Sequence, residues 1–526
     1  MVRGTRSTSM TVEKQAGGSR GASGKGGGWG SSRIVLAVVA VVVLGGGSLL
    51  WVGVWVMYPE MALGLRPDPN RADQSRAGLI ALMERGQPAA KEGVADGYAI
   101  FREAHALRTQ IDDAGWKVRP LPPHSSLPLF GEAFVAASGK EKANTLADRA
   151  LAREVLGEYV QGGLFEKLDA MWAAERAVRG VEFDKADPDR LLWNLLLPDL
   201  GHARYLARVA NDRARGAALA GDRAGFLRAQ RQMFGIARVI ARQPMTFDRK
   251  VAQAIVALAL SRTREMLLEW TFTPADDGFL MELSGVMRDP AGWPPLTVAF
   301  EGERIGTLDS VRWIYSTDGP SLRRKLEQLQ GLSGGVFGSA AIGLEMSGRR
   351  KTMRELEEFY AKSKAVAEMT TLERMSPKGV SAKAVVGSES RNPVLQVLLP
   401  ALTKFVRSAD QLAVDLVGTR TMIALERARL ASGEYPASIE GLREEGATGS
   451  ATIGTVPIDP YSGKPLMYKR LGAGEDAAGW RYLLWSVAAD AKDNGGKFGT
   501  ANNRFQALIE ANRAEDFQVN FVEVNR

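Results

Sequence analysis

At 526 residues the chain is too long for one ordinary core, and its 45% hydrophobic and 24% charged content excludes wholesale disorder. Lys and Arg number 68 against 60 Asp and Glu, a net +8, of which the first 33 residues supply +5 through Arg3, Arg6, Lys14, Arg20, Lys25 and Arg33 against Glu13. The remainder is close to neutral, which gives no electrostatic case for nucleic acid, and the absence of cysteine excludes disulfides, thiolate nucleophiles and cysteine zinc sites.

Residues 1–33, with Gly17-Gly18 and Gly24 through Gly28 among serines and basic residues, read as a disordered basic tail. Ile34 to Met57 then runs 24 residues without a charge, and Ser48 is its only hydroxyl. As a helix rising about 1.5 Å per residue it reaches roughly 36 Å, enough to cross a hydrocarbon core of about 30 Å. Trp51, Trp55 and Tyr58 gather at its far end, as aromatic residues do at a membrane–water interface. A cleaved signal peptide has a shorter apolar region, about 7–15 residues. Gly45-Gly46-Gly47 leaves a cleavage point open, but the length favours an uncleaved anchor. The basic flank precedes the span, and charges after it nearly balance, so the N-terminus is expected in the cytoplasm and the bulk outside it.

Apolar spacing predicts helices over about 70–112 and 141–180, separated by a proline-rich loop, Arg119 to His124. The clearest helical run is 189–271, broken by a turn at Gly221-Asp222 and a stop at Gln243-Pro244. Ala217 to Asp222 resembles one hairpin of a tetratricopeptide-type repeat, but no second copy lies about 34 residues away, so a helical-hairpin bundle is expected. Ala291 to Pro295 is a breaker. Glu301, Glu303 and Arg304 beyond it suit either an acid/base group or, more commonly, a helix cap and a salt bridge. Gly331 to Gly343 lacks the Gly-Lys-Ser/Thr of a phosphate loop. Lys351 to Met375 reads as a charged, solvated helix, and Lys378 to Asn392 as a linker. The three histidines, His105, His124 and His202, lie far apart and match no metal-ligand spacing.

Pro393 opens a long helix running to Leu430, with Pro400 as a possible kink and Gly433 placed to end it left-handed. Tyr435-Pro436 leads into a short helix to Leu442. Val456 to Pro465 forms a turn-rich phrase, and Leu466–Arg470 and Trp480–Ser486 read as a hairpin. Asp490, Asp493, Asn494, Gly495 and Gly496 close the segment.

This order, Gly-x-Tyr-Pro, short helix, Pro-x-Asp-Pro, two strands, then Ser-x-x-x-Asp-x-x-Asp-Asn-Gly-Gly, resembles the periplasmic domain of type II secretion major pseudopilins over about residues 415–497. The resemblance implies a long helix on a small antiparallel sheet, and a Ca2+ ion held by Asp490, Asp493 and Asn494 with nearby carbonyls. A turn stabilised by Asp and Asn side chains is the competing reading. Ala488 and Ala491 stand where that family usually has glycine, which argues against a left-handed backbone there. Ser32 to Leu36 lacks the family's processing site, and over 330 residues separate anchor from module, so a filament subunit is not expected. The chain also resembles uncharacterised membrane-anchored proteins of planctomycete-type bacteria, which bring no known activity.

The expected fold class is mainly α: a transmembrane helix at 34–57, an extracytoplasmic helical hairpin or bundle domain over 58–390, and a pseudopilin-like α+β module over 391–526. The expected location is the bacterial inner membrane with the bulk in the periplasm. Two function classes follow. One is a non-enzymatic envelope scaffold or assembly factor, with the lipid bilayer and envelope proteins as partners and no nucleic acid. The other is an exported hydrolase or carbohydrate-active protein, for which no nucleophile elbow, zincin or kinase pattern appears.

Overall fold

The computed structural model describes residues 63–90, 92–118, 146–179, 191–192, 198–322, 324–325, 327–328, 347–375, 392, 394–395, 402–440, 442, 457–472, 474–475, 479–488, 492–496 and 517–519. The expected span at 34–57, the tail before it, His124, the glycine-rich stretch 331–343, most of the expected linker, Pro400 and Asp490 lie outside them. Among the described residues no helix is long and apolar enough to cross a membrane.

The described residues are mainly helical: α1 (Arg71–Glu84), α2 (Gly97–Val118), α3 (Leu146–Gln161), α4 (Leu164–Ala173), α5 (Pro198–Ala220), α6 (Arg223–Ala241), α7 (Thr246–Glu269), α8 (Asp277–Val286), α9 (Leu296–Ile314), α10 (Arg349–Glu368), α11 (Thr371–Met375) and α12 (Leu402–Ser432). The turn read at Gly221-Asp222 forms, and the Asp222 carboxylate caps α6 by accepting from the Gly225 amide at 2.9 Å. Helix α6 lies at the centre, against α4, α5, α7 and α8, and buries residues on nearly every side, while Arg228, Arg231 and Arg238 at its rim pair with carboxylates. Each large side chain such as Phe226 or Phe234, shielded completely there, contributes about 1.5–3 kcal/mol.

Helices α9 and α10 pair, with α1 across α9. The solvated character expected of the charged helix holds for one face of α10, where Arg354, Glu357, Glu358, Lys362 and Lys364 are exposed. Its other face buries Leu356, Phe359, Tyr360 and Val366. The first described residues are tied to this pair, because the Asp68 carboxylate accepts from Arg312 Nε at 2.7 Å and from Arg349 at 3.2 Å. The Arg312 hydrogen bond holds that carboxyl below its ordinary range.

Strands β1 (Met467–Arg470), β2 (Tyr482–Ser486) and β3 (Phe517–Gln518) form one antiparallel sheet in the order β1-β2-β3. The expected hairpin is present, with Met467 opposite Trp485 and Arg470 opposite Tyr482. The third strand was not foreseen; two residues carry too little alternation to read. Gly433 ends α12 at φ 85°, its amide donating to the Arg429 carbonyl at 2.7 Å. The short helix expected up to Leu442 is only a turn, closed by the Leu442 amide on the Ile439 carbonyl. Pro436 and Gly441 bracket too few residues for a second turn. One hydrophobic core runs from α2 through α5–α8 into α12 and the sheet, taking in Leu412, Met422, Tyr482, Leu484 and Val519.

The Pro-x-Asp-Pro phrase has a structural task. Asp459, buried, accepts from the Tyr461 amide at 3.0 Å, the Ser486 hydroxyl at 2.9 Å and the Val487 amide at 3.1 Å, so one carboxylate ties the turn to the end of β2. Burial pushes its pKa up, and these donors oppose that shift. Asp459→Ala strands three buried donors and is expected to lower stability by about 3 kcal/mol in urea denaturation, against about 1 kcal/mol for Asp493→Ala in the exposed final loop.

Candidate functional site

In the closing loop, Asp493 Oδ1 accepts from the Gly495 amide at 2.9 Å and from Trp485 Nε1 at 3.3 Å, and Asn494 Nδ2 donates to the Lys492 carbonyl at 3.4 Å. Gly495 and Gly496 take φ 72° and 70°. This is an Asx-type turn. These two side chains fall short of the six to eight oxygens that Ca2+ takes, and Asp490 lies outside the described residues. Among the described residues no group of three or more His, Asp or Glu is placed to hold a metal ion. Ala488 does adopt the left-handed backbone that alanine was expected to disfavour, at φ 52°.

Glu301, Glu303 and Arg304 separate into two unrelated arrangements. Arg304 pairs with Glu301 at 2.7 Å and with Glu357 of α10 at 2.8 Å, a surface bridge between helices. Glu303 faces the opposite way and is completely buried. It accepts from the Thr246 amide at 3.2 Å and the Thr246 hydroxyl at 2.6 Å, capping the start of α7 from another helix. Gly302 makes this possible: a Cβ there would stand 1.7 Å from the Pro244 carbonyl oxygen, so only glycine lets α9 press onto the α6–α7 turn. Desolvation pushes Glu303 up to about 7.

Around the same helix start lies a chain of buried polar groups. Arg179 pairs with Asp248 at 2.9 Å, and its Nε donates to the Tyr98 hydroxyl, which in turn donates to Asp199. Burial pushes the Asp248 carboxyl up against the pull of Arg179. Gln243, also buried, accepts from the Arg179 amide and donates to the Val239 and Ala177 carbonyls.

From Asp199 the chain of groups continues along the seam between α2 and α5. His202 Nδ1 lies 3.8 Å from Asp199, and its ring stacks on that of His105, with centroids 3.4 Å apart and planes 14° from parallel. Arg108 sits over the Tyr205 ring at 3.9 Å and pairs with Asp112 at 2.7 Å, and Asp112 also accepts from the Tyr159 hydroxyl at 2.6 Å. Desolvation lowers both imidazoles, His105 to about 4. The fold thus joins two histidines that chain distance had set apart. A signal existed: Tyr98, His105 and Asp112 recur at seven-residue spacing on one face of α2, and Asp199 and His202 share a face of α5.

No protein-family model, no curated protein and no solved structure matches the chain. What the cluster can do chemically therefore rests on its own geometry. The buried Glu303 carboxyl can hold or release a proton near neutrality, the two imidazoles stay neutral there, and Arg108 and Arg179 are committed to carboxylates.

Two expectations follow for this cluster. Gly302→Ala forces α9 off the Pro244 carbonyl and is expected to lower the thermal midpoint by several degrees, with a loss of at least about 2 kcal/mol. Glu303 has a folded pKa of about 7 against 4.5 for the ordinary carboxyl, so the proton is held more tightly in the folded state. Its contribution is complete below pH 4.5 and lost as pH rises through 7. Between pH 5 and pH 8, Glu303→Gln should lose less stability than the parent by on the order of 3 kcal/mol, read from urea midpoints.

Proposed function

We propose that the chain is a single-pass membrane protein of the bacterial inner membrane, N-terminus in the cytoplasm, whose residues from 58 onward work in the periplasm as a non-enzymatic scaffold or assembly factor. The observation that carries this reading is Ile34–Met57, 24 uncharged residues behind a leader of six basic side chains and one acid. Hydrocarbon solvates such a stretch, and the leader's charge resists transfer.

The body supports a scaffold in its handling of charge. Arg71–Asp309, Arg179–Asp248 and Arg374–Asp410 are ion pairs between buried residues or nearly so, each joining separate segments. A cleft of about 420 Å³ between α1, α9 and α10 is lined by Arg85, Glu301, Arg304, Glu357, Tyr360 and Lys364, and its central arginine bridges both glutamates. A second, of about 500 Å³ at the end of α12, is lined by Arg429, Glu434, Tyr435, Arg470 and Arg481, with Arg470 on Glu434 at 3.1 Å. Charges committed to one another in this way hold helices in place, and they leave interlocked surfaces as the means of engaging partners. The C-terminal long helix on a small sheet favours a link to secretion through the pseudopilin resemblance.

Alkaline carbonate is expected to leave the intact chain in the membrane pellet, and protease added to the periplasmic face is expected to digest residues beyond 58 while sparing the leader. Release into the carbonate supernatant, or digestion of the C-terminal part only from the cytosolic side, would refute the placement. For the scaffold role, crosslinking in cells followed by capture from membranes should return a secretion-system component; turnover of an exported polymer by the purified chain would favour a hydrolase instead.

A further inference from the structure

We infer that the seam between α2 and α5 is an acid-operated latch, in which the stacked neutral rings of His105 and His202 hold the two helices together and protonation parts them. The inference is independent of where the chain resides, because it rests on the geometry of the seam alone.

The rings lie face to face at 3.4 Å, the closest approach two flat rings can make. Neutral imidazoles tolerate that contact, but two imidazolium ions repel strongly at it. The groups facing the pair do not make up the difference. From α2 come Tyr98, Arg108 and Asp112, from α5 Asp199 and Tyr205, from α3 Tyr159, from the segment after α4 Arg179, and from α7 Asp248. Asp112 is taken by Arg108 and Tyr159, and Asp248 by Arg179. Among the described residues, Asp199 is the carboxylate beside the pair, 3.8 Å from His202 Nδ1, and it also receives the Tyr98 hydroxyl and lies 3.6 Å from Arg179. A first proton on His202 therefore has one shared counter-charge. A second, on His105, must share that same carboxylate, for its buried Nδ1 has no hydrogen-bond partner among the described residues, and Arg108 adds like charge beside it.

The sign follows from the closed seam binding protons less readily than an open one. Desolvation lowers His105 from 6.5 to about 4, and lowers His202 as well. The closed form is fully favoured above pH 6.5 and loses that advantage as pH falls through about 4. Glu303 and Asp248 respond in the opposite direction, since both are raised carboxyls that acid relieves. Acid therefore loosens the seam while it settles the start of α7. Opening is local, because α2 also packs on α4 and α6, and its first amide donates to the Arg176 carbonyl at 2.8 Å.

Hydrogen exchange on the full-length chain in mild detergent, at pH 7.5 and pH 4.0 with times scaled for intrinsic rate, tests this. Peptides covering 97–118 and 198–210 are expected to exchange ten- to a hundredfold faster at pH 4.0, with α6 unchanged. The double variant His105→Phe with His202→Phe keeps an aromatic stack that cannot titrate, and should stay closed at both pH values. Equal protection of the two peptides at both pH values in the parent, or the same acid response in the double variant, would overturn the latch. Should the double variant fail to fold, ring-carbon shifts of labelled histidine in the parent decide, with His124→Gln for assignment. Both seam imidazoles are expected to titrate below the ordinary 6.5, His105 at about 4, and titration of either at or above 6.5 removes the proposal.

Discussion

The start of α7 sets the terms for much of the structure. A helix leaves its first amides without internal partners, and this one begins in the interior, where water cannot serve them. The solution comes from another helix: Glu303 on α9 accepts from Thr246, and Gly302 beside it removes the atom that would keep α9 away. Two residues further along α7, Asp248 sits in the same dry surroundings and is matched by Arg179, which brings with it the segment after α4, the start of α2 through Tyr98, and the start of α5 through Asp199. Four segments are thus fixed around one helix end by the need to give its buried polar groups partners.

Such groups give register more than net stability. Burying a charge is costly, and a good partner offsets that cost without much surplus. An interface of apolar side chains alone tolerates small slides; a carboxylate that must meet a particular amide does not. The same division of labour recurs at Asp459, which fixes the turn before β1 against the end of β2 inside an otherwise apolar module.

Local patterning made the elements readable and left their meeting points hidden. The α5–α6 hairpin was legible because Gly221-Asp222 interrupts an apolar period, and the β1–β2 hairpin because two short runs, Leu466–Arg470 and Trp480–Ser486, follow a turn-rich phrase. Glu301 and Glu303 sit two apart in the chain and so face different ways on a helix, yet which of them caps α7 depends on a helix some fifty residues earlier. His105 and His202 are separated by nearly a hundred residues, and no spacing rule connects them; only the placement of α2 against α5 does. Ala488 was misjudged for a different reason. A left-handed alanine costs about 1–2 kcal/mol, which a well-bonded β2 end can bear, since the Ala488 amide donates to Ser486 Oγ at 3.1 Å.

The C-terminal module is bound to the helical body by the same kind of contact. Helix α12 lies along α7, where Arg264, 1% exposed, donates to Thr419 at 2.9 Å and has Asp415 at 3.8 Å. Burial pushes that guanidinium down to about 9, a measure of how poorly water reaches it. Arg427 pairs with Asp277 of α8 at 2.6 Å, Ser408 reaches Gln253 of α7 at 3.0 Å, and Phe405 packs on Phe300 of α9. A module held only by apolar area could swing on its helix. One that must keep a buried arginine on a threonine hydroxyl moves with α7 or not at all. The small sheet is thereby linked through α12 to the helix whose buried start organises the rest of the body.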